Sequence, residues 1–429
     1  MGPGARGHSI AVTIMAAAFA LAGPGCSRDG GAPVTIRFWA MGNEGENVKK
    51  LLPEFERRNP GIAVELQVIP WTAAHEKLLT AYAGSSLPDV WQLGNTWVPE
   101  FELLDAVENL RVWDQRSSTI DSAFYFTGIW ETNLVDGGLW GIPWYVDTRV
   151  LFYRSDLLRA AGATQPPRTW DEWLAVSRNI KRLNAGRDAY AMLLPTNEFA
   201  PLLILGMQAG AGFLRDRDTK GDFSSPEFTH AFSFYTRFFE EGLAPVGVTR
   251  VTNIYQGMAE GFFVMLITGP WNVGEFTRRM PDSLQDRWAT APLPGPDGQY
   301  PGASIAGGSS LAMSKRSQHK PQVWALIEYL SEPARQVEFY RATGSLPARM
   351  ESWQDSSFRS NPRIRAFYEQ FANVRPQPKI PEWERIMIRL QDFAEVASRR
   401  ERPVQEILRS LDSETDRILE KRRWMVYER

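Results

Sequence analysis

The side chains that could do chemistry in this sequence are mostly carboxylates, amides and aromatic rings. The chain has 50 Asp and Glu residues, 16 Trp, four His and a single Cys in 429 residues. One Cys excludes a disulfide framework and a cysteine-rich zinc site, and four scattered His residues argue against a histidine-rich metal site. We therefore expect no metal and no cofactor. The abundant tryptophan suits either a large core or a site that stacks on flat ligands.

Motifs of covalent and phosphate chemistry are missing from the sequence. It contains no G-x-S-x-G nucleophile elbow, no G-x-x-x-x-G-K-[ST] phosphate loop, no H-E-x-x-H and no calcium-loop spacing. Carboxylate pairs do occur, so a two-carboxylate glycosidase stays open as an alternative. The formal net charge of −2 supplies no basic field, and we expect no nucleic-acid partner.

Alternating strand and helix patterns must position the polar side chains. The predicted elements, in order, are a strand at 34–41, a helix at 46–58 that stops at Asn59-Pro60-Gly61, a strand at 62–70, a helix at 73–85 and a strand at 88–93. This order predicts a parallel sheet covered by helices. Ligands of such sheets bind at the carboxyl ends of the strands, so the loops at 42–45, 70–72 and 94–97 are the candidate contacts.

The rest of the chain is richer in helices. Thr169 and Glu172 form a capping box that begins one helix, and a strongly amphipathic helix runs from Pro226 to Gly242. Residues 291–310 indicate a loop or a crossing between lobes, and the tail from 383 to 426 is largely helical. The aromatic residues expected to pack in the core are Trp91, Trp170, Trp173, Phe228, Phe232, Tyr235, Phe238, Phe239 and Trp324.

The N-terminal 26 residues are typical of an export signal. A short basic start precedes the apolar run IAVTIMAAAFAL, which is too short to span a membrane in the mature protein. Cys26 follows a small residue, which resembles the lipidation site of bacterial lipoproteins, although Gly23 and Pro24 depart from that pattern. The alternative is simple cleavage near Ala22. We expect a periplasmic or cell-envelope protein that meets the membrane only through a lipid on Cys26.

Several segments together carry a family resemblance. GIPWYVDTRVLFYRSDLLRAAG at 141–162 is followed by TWDEW at 169–173, and LPDVWQL, GFFVMLITGPWNVGEF and APLPGPDG agree in order. Each motif alone is weak, but their joint order resembles the extracellular solute-binding proteins of ABC sugar importers, of the maltose and trehalose type. The resemblance covers essentially the whole mature chain.

The resemblance implies a two-lobed α/β fold of the periplasmic-binding type II class. Each lobe holds a mixed sheet flanked by helices, and the chain crosses between lobes near 145–149, 301–305 and 344–347. The expected N-terminal lobe combines 34–146 with 305–346, and the expected C-terminal lobe combines 147–304 with 347–429. A ligand would lie in the cleft between the lobes and be enclosed when they close.

The resemblance also implies which residues contact a sugar. Trp271 matches the stacking tryptophan of the family, Asp147 faces the cleft from a crossing, and Arg349 is a candidate bidentate donor to hydroxyls. The competing interpretations are a hinge hydrogen bond for Asp147, a solvated loop acid for Glu44 and a core position for Trp71. The expected substrate-binding residues are Asn43, Glu44, Trp71, Asn95, Thr96, Trp97, Tyr145, Asp147, Arg149, Asn197, Glu198, Trp271, Gly308, Arg349 and Trp383.

These observations predict a non-enzymatic sugar receptor. The expected ligand is a neutral disaccharide such as trehalose or maltose, the expected partner is the membrane permease of an ABC importer, and the expected state is a monomer. Another oligosaccharide, a polyol or glycerol-phosphate is the alternative cargo, with phosphate disfavoured because few Arg or Lys residues lie in the strand-end loops. A secreted carbohydrate-active enzyme is the alternative from another class.

Overall fold

A six-stranded and a four-stranded sheet organise the structure, which is a computed structural model. It describes residues 1–2, 33–247 and 253–427. The export signal and Cys26 lie outside the described residues. The strands are β1 Val34–Met41, β2 Ile62–Ile69, β3 Val90–Gly94, β4 Leu134–Val135, β5 Gly138–Leu139, β6 Ile142–Asp147, β7 Val150–Arg154, β8 Tyr190–Leu193, β9 Leu214–Arg215, β10 Lys220–Gly221, β11 Phe263–Thr268, β12 Trp288–Ala291, β13 Ser304–Ile305, β14 Gly307–Met313, β15 Leu346–Pro347 and β16 Val374–Arg375.

Helices connect and cover these strands. They are α1 Gly42–Val48, α2 Leu52–Arg58, α3 Trp71–Ala83, α4 Val98–Leu103, α5 Arg111–Asp114, α6 Thr127–Glu131, α7 Ser155–Ala160, α8 Trp170–Leu183, α9 Ala200–Gln208, α10 Pro226–Glu240, α11 Ile254–Glu260, α12 Trp271–Arg279, α13 Lys320–Leu330, α14 Pro333–Thr343, α15 Ser356–Arg359, α16 Pro362–Gln370, α17 Trp383–Ser398, α18 Val404–Ile418 and α19 Glu420–Tyr427. Among the described residues, no helix is both long enough and apolar enough to cross a membrane.

The larger sheet belongs to the first lobe and has the order β15-β6-β14-β3-β1-β2. β1 pairs in parallel with both β2 and β3, as the alternation of elements predicts. β14 runs antiparallel to β3 and to β6, so the sheet is mixed. Ile36 and Phe38 face one buried side of this sheet, and Trp91 and Leu93 belong to a separate core on the other. Helices therefore cover both faces.

The second lobe contains the sheet β12-β7-β11-β8. β11 pairs in parallel with β8 and antiparallel with β7, which makes this sheet mixed as well. The hydroxyl of Thr169 caps α8 by accepting the Glu172 backbone N–H at 3.1 Å, as predicted, but the Glu172 carboxylate accepts the Arg168 N–H at 2.7 Å and not the Thr169 N–H of a full capping box. The aromatic residues expected in the core are all buried.

The helix predicted over residues 46–58 is two helices in the structure. α1 begins at Gly42, directly after β1, and ends at Val48; α2 begins at Leu52 with Pro53 in its first turn. Proline lacks an N–H and fits only the first turn of a helix, so the helix must restart there. The residues expected as a strand-end loop at 42–45 consequently form the first turn of α1.

Short segments carry the chain between the lobes. Thr148 and Arg149 alone separate β6 in the first sheet from β7 in the second, and β13 leads into β14 by way of Ala306. The sequence analysis expects these two crossings near 145–149 and 301–305. The third lies later than expected, because Leu346–Pro347 still pairs with β6 and Arg349 forms a bridge with Tyr125.

The side-chain contacts around α15 locate that third crossing. The ring centroid of Phe358 on α15 lies 4.3 Å from that of Tyr340 in the first lobe. In contrast, the Thr290 hydroxyl on β12 of the second lobe donates to the Arg363 carbonyl on α16. The chain therefore passes to the second lobe between α15 and α16. A C-terminal lobe that resumes at 347, as the resemblance implies, begins too early.

Candidate functional site

A cleft of about 590 Å³ lies between the two lobes. Its first-lobe wall comes from the chain after β1, the start of α3 and the chain after β3, which are the three loops that the sequence singles out. The second-lobe wall comes from the starts of α9, α12 and α17. The lining residues are Asn43, Glu44, Trp71, Gly94, Asn95, Thr96, Trp97, Tyr145, Val146, Asp147, Arg149, Phe199, Pro270, Trp271, Ile305, Gly307, Gly308, Ser309, Thr343, Gly344, Ser345, Gln377 and Glu384.

Glu44 is held in place by two donors from the first lobe. Its Oε2 accepts the indole N–H of Trp71 at 3.2 Å, and its Oε1 accepts the Ser345 hydroxyl at 3.0 Å. The neighbouring Asn43 donates from Nδ2 to the Thr343 carbonyl at 3.2 Å. A carboxylate has about four acceptor positions, so Glu44 keeps the capacity to accept further hydrogen bonds from a ligand.

Two tryptophans form an aromatic wall on the first lobe. The rings of Trp71 and Trp97 meet edge to face, with centroids 6.0 Å apart. Trp71 is 38% exposed, so its ring is not a core ring. Beside them Asn95 is buried and accepts the Ser310 hydroxyl at 3.0 Å, while its Nδ2 has no partner in the structure. A buried amide N–H₂ without a partner is a donor that a ligand or a water can satisfy.

A chain of three side chains connects the hinge with the second lobe. Arg149 Nη1 donates to Asp147 Oδ1 at 2.9 Å. The same guanidinium lies over the Trp271 ring, 4.5 Å from its centroid. Trp271 begins α12 and is 48% exposed. The ion pair therefore lies against the Trp271 indole, and both the indole and the Arg149 side chain line the cleft.

Tyr145 closes the floor of the cleft near the hinge. Its hydroxyl oxygen accepts Gln92 Nε2 at 3.0 Å and the Ser309 hydroxyl at 3.1 Å. Burial raises the pKa of the Tyr145 hydroxyl well above its usual value of 10, which keeps the group neutral. Opposite it, Gly308 has φ +121°, and a Cβ there would lie 2.3 Å from the Tyr145 carbonyl oxygen. Only glycine fits this approach of two backbones.

The second lobe contributes residues that the sequence analysis missed. Glu384, in the first turn of α17, accepts the Thr96 hydroxyl from the first lobe at 2.5 Å. Phe199 and Gln377 also line the cleft. One signal for Glu384 was present in the sequence: the apolar residues of this amphipathic helix mark its buried face, and Glu384 falls outside that stripe.

Four of the expected contact residues do not line the cleft. Trp383 is buried, and its indole N–H donates to Gln377 Oε1 at 2.7 Å while its ring packs near Phe213. Asn197 and Glu198 are exposed just outside the cleft wall, although Phe199 next to them lines it. In each case the segment reaches the cleft, but an adjacent residue faces it.

Arg349 is also absent from the lining. It is 3% exposed and its guanidinium donates to the backbone carbonyls of Thr119 and Ser331 and to the Glu351 carboxylate. The Arg349 side chain therefore stabilises the interior of the first lobe through these hydrogen bonds. The eleven other expected contacts are brought together in the cleft: Asn43, Glu44, Trp71, Asn95, Thr96, Trp97, Tyr145, Asp147, Arg149, Trp271 and Gly308.

The charged groups of the cleft are mainly acidic. Glu44, Asp147 and Glu384 line it, and the cation in the lining, Arg149, is already paired with Asp147. Indole faces together with carboxylate and amide groups can stack on an apolar ring face and bond the hydroxyls at its rim. An anionic ligand would find no unpaired cation among the described lining residues.

Comparisons with known proteins agree with this geometry. Residues 41–337 match the family of bacterial extracellular solute-binding proteins. The structure resembles that of the sugar-binding protein MalE from Xanthomonas citri, with a TM-score of 0.89 and 48% identity over 92% of this chain and 100% of that chain. The diacetylchitobiose-binding protein DasA of Streptomyces coelicolor is 23% identical over 83% of this chain and 82% of its own length.

A further solved structure shares the fold at lower identity. UgpB from Mycobacterium tuberculosis, in complex with glycerophosphocholine, has a TM-score of 0.74 and 22% identity over 92% of this chain and 100% of that chain. The two-lobed periplasmic-binding fold that the sequence predicts is thus confirmed. Since the family match spans more than half of the residues and agrees with the MalE likeness, the chain is a member of the bacterial extracellular solute-binding protein family.

Proposed function

We propose that this protein binds a neutral disaccharide, maltose or trehalose, in the interlobe cleft and delivers it to the membrane permease of an ABC importer. The observation that carries the proposal is a pair of exposed indoles on opposite lobes, Trp71 and Trp271, that line one cleft. The likeness to MalE of Xanthomonas citri, whose name calls it a sugar-binding protein, supports the same ligand class.

The two indoles suit two sugar rings. A pyranose has an apolar face that stacks on an aromatic ring and a rim of hydroxyls that needs donors and acceptors. Trp271 offers one stacking surface from the second lobe, and Trp71 with Trp97 offers another from the first. The cleft volume of about 590 Å³ falls in the range of roughly 300–1,000 Å³ that is usual for small-molecule sites.

Hydrogen-bonding groups from both lobes surround those rings. Glu44 and Asn95 belong to the first lobe and Glu384 to the second, so a ligand that bonds all three stabilises the closed arrangement. Such contacts exist only when the lobes are closed, and binding therefore shifts the population toward the closed form. A closed, loaded receptor is the state that a permease can distinguish from the empty one.

The charge of the cleft favours a neutral ligand over glycerol-phosphate. A phosphate group is bound in proteins by Arg, Lys or a helix N-terminus. Arg149 already pairs with Asp147 at 2.9 Å, and Glu44 and Glu384 would repel a phosphate. Polyols fit the charge but lack the flat apolar face that the indoles offer.

The same contacts argue against a secreted glycosidase. A glycosidase needs two carboxyl groups flanking the bond, one of which holds a proton for the leaving oxygen. Here Glu44 accepts two hydrogen bonds, Asp147 pairs with a guanidinium and Glu384 accepts the Thr96 hydroxyl. These are the environments of acceptors that hold hydroxyl groups.

The decisive experiment is a calorimetric titration combined with product analysis. Purified protein is titrated with maltose, trehalose, sucrose, glucose, glycerol 3-phosphate and glycerophosphocholine, and each mixture is analysed by chromatography. We expect saturable binding of maltose or trehalose, no binding of the phosphates and no cleavage. Binding of a phosphate alone, or release of monosaccharide, would overturn the proposal.

We further propose that the mature protein is a monomer in the periplasm, tethered through a lipid on Cys26. The export-signal pattern and the cysteine after Gly25 support this placement. Expression in a host fed with radiolabelled palmitate should label the wild type and not Cys26→Ala. Absence of label from the wild type would favour cleavage near Ala22, and sedimentation analysis of the purified form tests the monomer.

A further inference from the structure

His75 lies directly behind the aromatic wall of the cleft. It is on α3, one turn after Trp71, and its ring centroid is 4.9 Å from that of Trp97 at an interplanar angle of 49°. Trp97 in turn meets Trp71 edge to face. Residues four apart on a helix lie on one face, so α3 presents Trp71 and His75 to Trp97 together. The imidazole therefore supports the wall from the side away from the cleft.

Glu100 fixes the position of that imidazole. Nε2 of His75 lies 2.5 Å from Oε2 of Glu100, which is in the first turn of α4, three residues after Trp97. One short segment thus carries both the ring that His75 contacts and the carboxylate that His75 bonds. This arrangement couples the orientation of Trp97 to the bond between His75 and Glu100.

The charged groups that act on His75 are carboxylates from three positions in the structure. Glu100 acts from α4, Glu384 from α17 of the second lobe and Glu76 from the neighbouring position on α3. Together they raise the pKa of His75 above its usual value of 6.5, against the opposing effect of partial burial. The charged imidazolium is therefore fully present below pH 6.5 and is lost as the pH rises through the raised value.

We propose that His75 is a positioning residue for the aromatic wall, and that its protonation tightens ligand binding. This rests on the proposed function, because it takes Trp71 and Trp97 as ligand contacts. The protonated ring attracts Glu100, which holds the α4 segment and Trp97 against α3, and it attracts Glu384 across the cleft. The neutral ring keeps a hydrogen bond to the Glu100 carboxylate but loses the ion-pair attraction, so the wall and the closed cleft are held less firmly.

The first test is the pH dependence of sugar affinity. For maltose and trehalose we expect Kd of the wild type to rise about three- to ten-fold between about pH 5.5 and about pH 8.5, the size of one aromatic contact. His75→Gln should flatten that profile. His230→Gln is the matched control, since His230 is an exposed imidazole stacked 5.3 Å from Trp170 outside the cleft. A His75→Gln profile that matches the wild type overturns the proposal.

The second test needs no ligand. In ¹⁵N spectra of the unliganded protein, the indole N–H signals of Trp71 and Trp97 are assigned with Trp→Phe variants and followed against pH. We expect them to titrate together with the His75 ring signals, and Glu100→Gln to lower the pH of that midpoint. If the indole signals of Trp71 and Trp97 do not change with pH as the His75 ring titrates, the positioning role is refuted. If neither sugar binds, the proposed function fails, whereas these spectra still decide the role of His75.

Discussion

Removing the Trp271 indole is the sharpest test of the cleft. The ring begins α12 of the second lobe, is 48% exposed, and its centroid lies 4.5 Å from the Arg149 guanidinium carbon. It contributes surface to the cleft and is not part of a core cluster. Trp271→Ala should therefore reduce affinity for the sugar and leave the fold intact.

The expected loss follows from the free area of the ring. A tryptophan side chain buries roughly 200 Å² when fully covered, so a ligand that covers the exposed half removes about 100 Å² of indole from water. At about 25 cal/mol per Å² this contributes about 2.5 kcal/mol, which corresponds to about a 70-fold rise in Kd. Trp271→Phe keeps a smaller stacking face and should fall between the wild type and Trp271→Ala.

Calorimetric titration with the sugar that the wild type binds measures this loss. Trp424→Ala is the control, because Trp424 is 55% exposed on α19 outside the cleft lining. Gly269→Ala is a second arm: a Cβ there would lie 2.1 Å from Cζ3 of Trp271, so the ring is kept but displaced. A Trp271→Ala variant that keeps wild-type affinity would refute the assigned stacking role.

Three further predictions concern the hinge, a helix cap and the contact between lobes. Gly308→Ala should lower the free energy of unfolding by at least about 2 kcal/mol in urea titrations, because φ +121° and a carbonyl 2.3 Å away exclude a Cβ. Thr169→Ala should cost about 1 kcal/mol in the same assay by leaving the Glu172 N–H uncapped, with sugar affinity unchanged. Thr96→Val, which removes the donor to Glu384, should increase the radius of gyration of the unliganded protein in X-ray scattering; an unchanged value would show that this bond does not hold the lobes together.

The first-lobe half of the cleft was predictable from the sequence because its placement is local. Asn43 and Trp97 each follow a strand of one parallel array, and the carboxyl ends of such strands meet at one edge. The strand pattern thus fixes the location of these side chains without knowledge of the rest of the chain. The same holds for the hinge, where β6 ends at Asp147 and β7 begins three residues later.

The second-lobe half was not predictable residue by residue, because successive helical residues point in different directions. Trp383 and Glu384 are adjacent on α17, and a step of one residue turns the helix by about 100°. The indole therefore enters the core near Phe213 while the carboxylate reaches Thr96 across the cleft. The resemblance located the segment, but the identity of the facing residue depends on how α17 packs.

Arg349 shows a different limit, which comes from sheet pairing at long range. β15 lies at the edge of the first sheet, where it pairs with β6. This pairing keeps the residues that follow β15 in the first lobe. Arg349 then bridges to Tyr125 and places its guanidinium among backbone carbonyls. Because the Arg349 cation is buried in the first lobe, Arg149 remains as the cation of the described cleft lining, and its pairing with Asp147 supports the proposal of an uncharged ligand.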